Sequence, residues 1–141
     1  MSESLGGLMS LIDELSKAHA ELEAWRDVDT ALHAFLVASE AARAMEGASA
    51  PEEFPAWVSA GSAAFEGASA LRSVPATAYD MPLVFKDADD RSAVTKAMAA
   101  LGGLIREVMA ERALDLKTPD ARLAALTASR CGTRIQLFLG G

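Results

Sequence analysis

Apolar residues recur along most of the chain at alternating steps of three and four, the spacing that places side chains on one face of an α-helix. The first run is Leu5, Leu8, Ile12, Leu15, Leu22 and Trp25, and predicts a helix over 4–26 with Ser4 as its cap. The pattern resumes at Val28 and continues through Leu32, Phe35, Ala38, Ala42 and Met45, a helix over 28–46 that Gly47 would close. Asp27 and Asp29 are both suited to cap it. The pattern does not decide whether these two helices are separate or one long kinked helix.

A third helix is expected over 52–72, with Pro51 at its first position and Glu52 and Glu53 at the positive end of the dipole. Its apolar row reads Phe54, Trp57, Val58, Gly61, Phe65, Ala68 and Leu71. The small residues Gly61, Ala64 and Ala68 would let another helix approach, or Gly61 would break the helix. Pro75 and Pro82 then interrupt the periodicity, so 73–87 is a crossover loop with a short strand available near 82–86. Asp87, Asp89 and Asp90 open a fourth helix over 88–115. Its seam is Val94, Met98, Leu101, Ile105 and Val108, closed by Leu114 and Leu116. Gly102 and Gly103 mark a kink or a close helix crossing.

Thr118, Pro119 and Asp120 form a strong start signal for a fifth helix, from 119 to 131 or on to 138. Two readings of its end compete. A continuous helix would align Ala124, Ala128, Cys131, Ile135 and Phe138. Alternatively, Gly132 ends the helix and 133–139 pairs as a strand with 82–86. Periodicity over so few residues does not separate them. The chain as a whole reads as an all-α, single-domain bundle of four to five helices over 1–141, with that two-strand pairing as the variant.

Composition agrees with this fold. Apolar residues make up 51% of the chain and aromatics only 6%, and much of the apolar share is alanine, the best helix former. Asparagine is absent and Gln136 is the single glutamine, a bias expected of a GC-rich bacterial genome. A net charge of −7 argues against nucleic acid, whose phosphates need a basic surface. The charge is uneven: residues 1–73 carry −8, whereas residues from 91 onward carry +4. Acidic and basic helices packed in one domain explain this, as would a basic face held for an acidic partner.

The N-terminal stretch has no basic region and no apolar run reaches about 18 residues, so neither a signal peptide nor a membrane span is expected, and a cytoplasmic location follows. Cys131 is the single cysteine and cannot form an intrachain disulfide.

Candidate chemistry is sparse. His19 has Glu23 one turn on and His33 has Glu40 two turns on, but no Glu-x-x-His, His-x-x-x-His or Cys/His cluster accompanies them. No metal or cofactor is therefore implied. The acids at 87–90 read as helix caps. Cys131 lies between Arg130 and Arg134, which would favour its thiolate, although a buried small apolar role suits it better. Phosphate loops, nucleophile elbows and redox cysteine pairs are missing from the sequence.

Two functional expectations follow. The first is a non-enzymatic interaction or regulatory module, self-associating as a homodimer or meeting a partner protein, with Ile135, Leu137, Phe138 and Leu139 as the candidate surface. The second is a ligand-binding or catalytic bundle with the 73–86 loop as a lid and His33, Trp57, Tyr79 and Cys131 around a pocket. Convergence of those groups on one cavity would separate the two.

Overall fold

Capping chemistry sets the helix ends. The computed structural model describes residues 10–72 and 90–140, and five α-helices occupy 86% of them. α1 (Leu11–Trp25) starts at Ser10, whose hydroxyl accepts the Asp13 N–H at 3.1 Å. It ends at Arg26, which takes the left-handed conformation at φ 48° and donates its N–H to the Leu22 carbonyl at 2.8 Å. α1 and α2 (Val28–Ala48) are thus separate. Asp27 caps α2: its carboxylate accepts the Thr30 N–H at 2.9 Å and the Thr30 hydroxyl at 2.6 Å. These bonds, the Thr30 hydroxyl first, hold the Asp27 carboxyl below the usual range.

Gly47 does not stop α2, which runs on to Ala48. α3 (Phe54–Ala70) begins later than Pro51 suggests. Starting at residue 52 would place Pro55 where a helical N–H is needed. Starting at Phe54 puts Pro55 in the first turn, where that N–H has no partner to lose. α4 (Arg91–Asp115) is capped by Asp90, which accepts the Ser92 N–H at 2.9 Å. α5 (Pro119–Phe138) starts as its sequence signal predicts, with the Thr118 hydroxyl accepting the Ala121 N–H at 3.2 Å.

Residues 133–138 lie inside α5, so the strand reading of the tail is overturned, and no strand occurs among the described residues. The segment 82–86 and the whole of the crossover loop lie outside the described residues.

Around the bundle the helices follow the order α1, α2, α3, α5, α4, with α4 closing on α1 and touching α2 across the centre. The α4 seam of Val94, Met98, Leu101, Ile105 and Val108 is fully buried, with Leu15, Leu22, Phe35, Met45, Met109 and Ile135 around it. Leu114 does not close the seam, being 84% exposed. Arg26 ties the α1–α2 corner to α4, donating to Glu107 at 2.9 Å and to Glu111 at 2.8 Å. Both acids lie on one face of α4, one turn apart.

The tightest contact is between α4 and α5. A Cβ built on Gly102 would lie 2.7 Å from the Gly132 carbonyl oxygen, and one built on Gly132 would lie 2.6 Å from the Gly102 carbonyl oxygen. The two backbones touch directly, so Gly102 marks a crossing and not a break. Ser129 reinforces it by donating its hydroxyl to the Arg106 carbonyl at 2.9 Å.

Gly132→Ala places a methyl against backbone that no rotamer change can clear, and is expected to cost about 1–3 kcal/mol or more, a fall of several degrees in Tm. Gly47→Ala meets nothing within 4 Å and is expected to gain about 0.4–1 kcal/mol. Thermal unfolding of the two variants, read in opposite directions, checks the crossing. Asp27→Ala is expected to cost about 1 kcal/mol through the lost cap. Because the folded carboxyl titrates below its unfolded value, its stabilisation is present above the unfolded pKa and is lost as pH falls through the folded one. Urea midpoints between pH 2 and 7 should therefore drop less for Asp27→Asn than for the parent chain.

Candidate functional site

α3 buries Trp57 together with its small residues and turns its other bulky apolar residues outward. Its inward row is Trp57, Ala60, Ala64 and Gly67, with Ala63 and Ala68 beside it, and all six are buried. Phe54, Val58 and Phe65 face out and are 45%, 37% and 47% exposed. Neighbouring helices leave no room for the larger set. Gly67 lies beneath the Phe35 ring, which occupies the place its Cβ would take, and a Cβ on Gly61 would sit 3.2 Å from that of Ala42. Close approach of α2 to α3 therefore selects alanine and glycine for the interface and leaves the bulky residues on the far side.

Both rows fit a helical period, 57–60–64–67 as well as 54–58–61–65. Reading the row by hydrophobic size merged the two. The alanine and glycine row was the signal that could have separated them.

The outward row borders a shallow groove of about 610 Å³ between α2 and α3. Val58, Gly61 and Phe65 supply its apolar side, and Glu40, Arg43 and Glu46 supply its α2 wall. Glu40 is nearly buried and accepts the Arg43 guanidinium at 2.7 Å, an i,i+3 pair that holds the Arg43 pKa up. Glu66, at the other rim, accepts Arg134 of α5 at 2.9 Å. Glu40 and Glu66 are thus each paired with an arginine, and Glu46 is the one further acid in the groove lining.

The sequence-derived candidates are spread out. Tyr79 and the proposed lid lie outside the described residues. His33 is half-buried on α2. Trp57 is buried on α3, at the edge of a small cleft of about 270 Å³ that Phe138 and Leu139 also line. Cys131 is buried on α5, and neither it nor His33 borders that cleft. The tail itself divides: Ile135 and Leu139 are buried in the chain's own core, whereas Leu137 and Phe138 are exposed. Among the described residues no group of three or more His, Cys, Asp or Glu side chains is placed to hold a metal ion, and no helix is long and apolar enough to cross a membrane.

No known family model matches the chain, and no curated protein or solved structure is detectably similar to it. Its own surface is the guide to what it does.

Burial, and then the charge of Glu66, push the Cys131 thiol above its ordinary range, outweighing Arg134 and Arg130. The thiol is expected to resist a maleimide at pH 7 in the folded protein and to react within minutes in denaturant. Equal rates in the two conditions would mean that α5 opens readily around it.

Proposed function

We propose that this chain is a helical protein-interaction module that associates with another copy of itself through the outer face of α3. The observation that supports the reading is the outward row of Phe54, Val58 and Phe65 beside the α2–α3 groove. Fully burying an exposed Phe or Val side chain is worth about 1.5–3 kcal/mol, and these three residues, already more than half covered, retain part of that gain. The alanine-rich packing of α3 leaves them outside by construction and does not need them for the core.

The ligand-binding alternative draws on less. Of its four candidate residues, only Trp57 lies beside a described cleft, and the group most able to do chemistry there, the Cys131 thiol, is buried elsewhere and held protonated. The interaction reading uses residues that are already exposed and apolar.

Sedimentation velocity across a concentration series tests it. The parent chain is expected to pass from monomer to dimer as concentration rises. Phe65→Glu is expected to remain monomeric over the same range with an unchanged circular-dichroism spectrum. A parent chain that stays monomeric at high concentration would contradict the reading.

A further inference from the structure

The uneven charge of the chain has two explanations, and α5 separates them. If acidic and basic helices were simply packed together, the bases of α5 would meet acids of the first half of the chain. Arg134 does so, donating to Glu66 at 2.9 Å. Arg122 instead gives its Nε–H to the Leu116 carbonyl at 2.6 Å, and among the described residues neither Arg122 nor Arg130 enters an ion pair. Both are exposed. The acids of α4 are already engaged, Glu107 and Glu111 by Arg26 and Asp115 by Arg112. Asp120, in the first turn, is the one acid of α5.

These two arginines belong to an apolar face. Leu123, Leu126, Arg130, Thr133 and Leu137 follow one another at steps of three, four, three and four, the spacing of a helix–helix seam. Ala128 and Ile135 lie buried on the opposite side of the helix, so the seam points away from the core. Leu123, Leu126 and Leu137 are 61%, 45% and 64% exposed. Beside the seam, Leu126 and Arg122 share a cleft of about 400 Å³ with Ala110, Ala113 and Leu114 of α4. A concave surface of this kind receives the ridge of a helix, whereas a flat bilayer does not fill it. A second copy of α5 is a poor occupant. Arg130 stands at the midpoint of the seam, so a two-fold contact centred there sets it against its own counterpart, and like charges so placed repel.

We propose that the outer seam of α5 docks an acidic amphipathic helix of a partner protein. The partner's apolar stripe lies along Leu123, Leu126 and Leu137, and its carboxylates meet Arg122 and Arg130, which select an acidic partner over a basic one. This surface is separate from the outer face of α3 and does not depend on self-association.

The probe is a labelled, end-capped helical peptide of about three heptads with leucine at the seam positions and glutamate beside them. The same peptide with lysine in place of glutamate is the control. Fluorescence anisotropy with the full chain is expected to show saturable binding of the glutamate peptide that weakens as salt rises, and binding of the lysine peptide at least about tenfold weaker. Arg122→Glu combined with Arg130→Glu is expected to reverse that preference, which a purely apolar contact would not do. Leu123→Ala combined with Leu126→Ala is expected to weaken the glutamate peptide by at least about tenfold, with an unchanged circular-dichroism spectrum. Phe65→Glu, on α3, is expected to leave peptide binding unaltered, so this inference and the self-association reading fail separately. Equal binding of the two peptides, binding of neither, or a preference that survives the double arginine substitution would overturn the proposal. Binding to phosphatidylglycerol vesicles without binding of the glutamate peptide would also overturn it and assign the seam to a lipid surface.

Discussion

The contact of Gly102 with Gly132 governs how closely the helices of this bundle can lie. With no side chain on either residue, α4 and α5 meet backbone to backbone, each Cα facing the other's carbonyl oxygen. Such Cα–H···O contacts are worth only about 0.5–1 kcal/mol each. The larger effect is geometric, because every side chain flanking the crossing then packs at short range. Ile105 and Ile135 close over it, Ser129 bonds across it, and α5 is carried inward far enough to bury Cys131 and Ile135. A glycine inside a helix costs about 1 kcal/mol relative to alanine, so the crossing is held by packing and against local propensity.

The same economy of volume recurs at α2 and α3, where Gly67 admits the Phe35 ring and Gly61 rests on Ala42. Among the described residues, a bundle built this way fills its interior with alanine, leucine, methionine, valine and isoleucine and with two large aromatics, Phe35 and Trp57. Remaining bulky apolar residues on α3 and α5 have no interior place to go. The exposed Phe54, Val58 and Phe65 on one side and Leu123 and Leu126 on the other are in this sense the complement of the tight core. Surface apolarity and close packing have one origin, and the two proposed contacts give that surface its partners.

Much of this was legible in the residues. Asp90 and Thr118 announced helix starts through side chains that can accept a backbone N–H, and the α4 seam announced itself because its large residues keep a single period. The direction of α3 was not legible by size, since two rows fit the same period and burial is decided by the space that α2 and α5 leave. The end of α5 was ambiguous for a different reason. Gly132 is a helix breaker in isolation, and the glycine that makes it a helix–helix contact lies on another element. The apolar tail divides for the same reason: Ile135 and Leu139 are taken into the core, whereas Leu137 and Phe138 stay exposed.

The account rests on the α4–α5 backbone contact, and the most direct measurement of it is a nuclear Overhauser experiment on labelled protein. A Cβ on Gly102 would lie 3.1 Å from the Gln136 nitrogen, and one on Gly132 would lie 2.9 Å from the Arg106 nitrogen. Strong cross-peaks are therefore expected from the Gly102 Hα to the Gln136 amide proton and from the Gly132 Hα to the Arg106 amide proton. Their presence would fix the two helices at backbone contact. Their absence, with both glycines assigned and both helices intact, would mean that side chains separate α4 from α5, and the packing argument built on that crossing would fail.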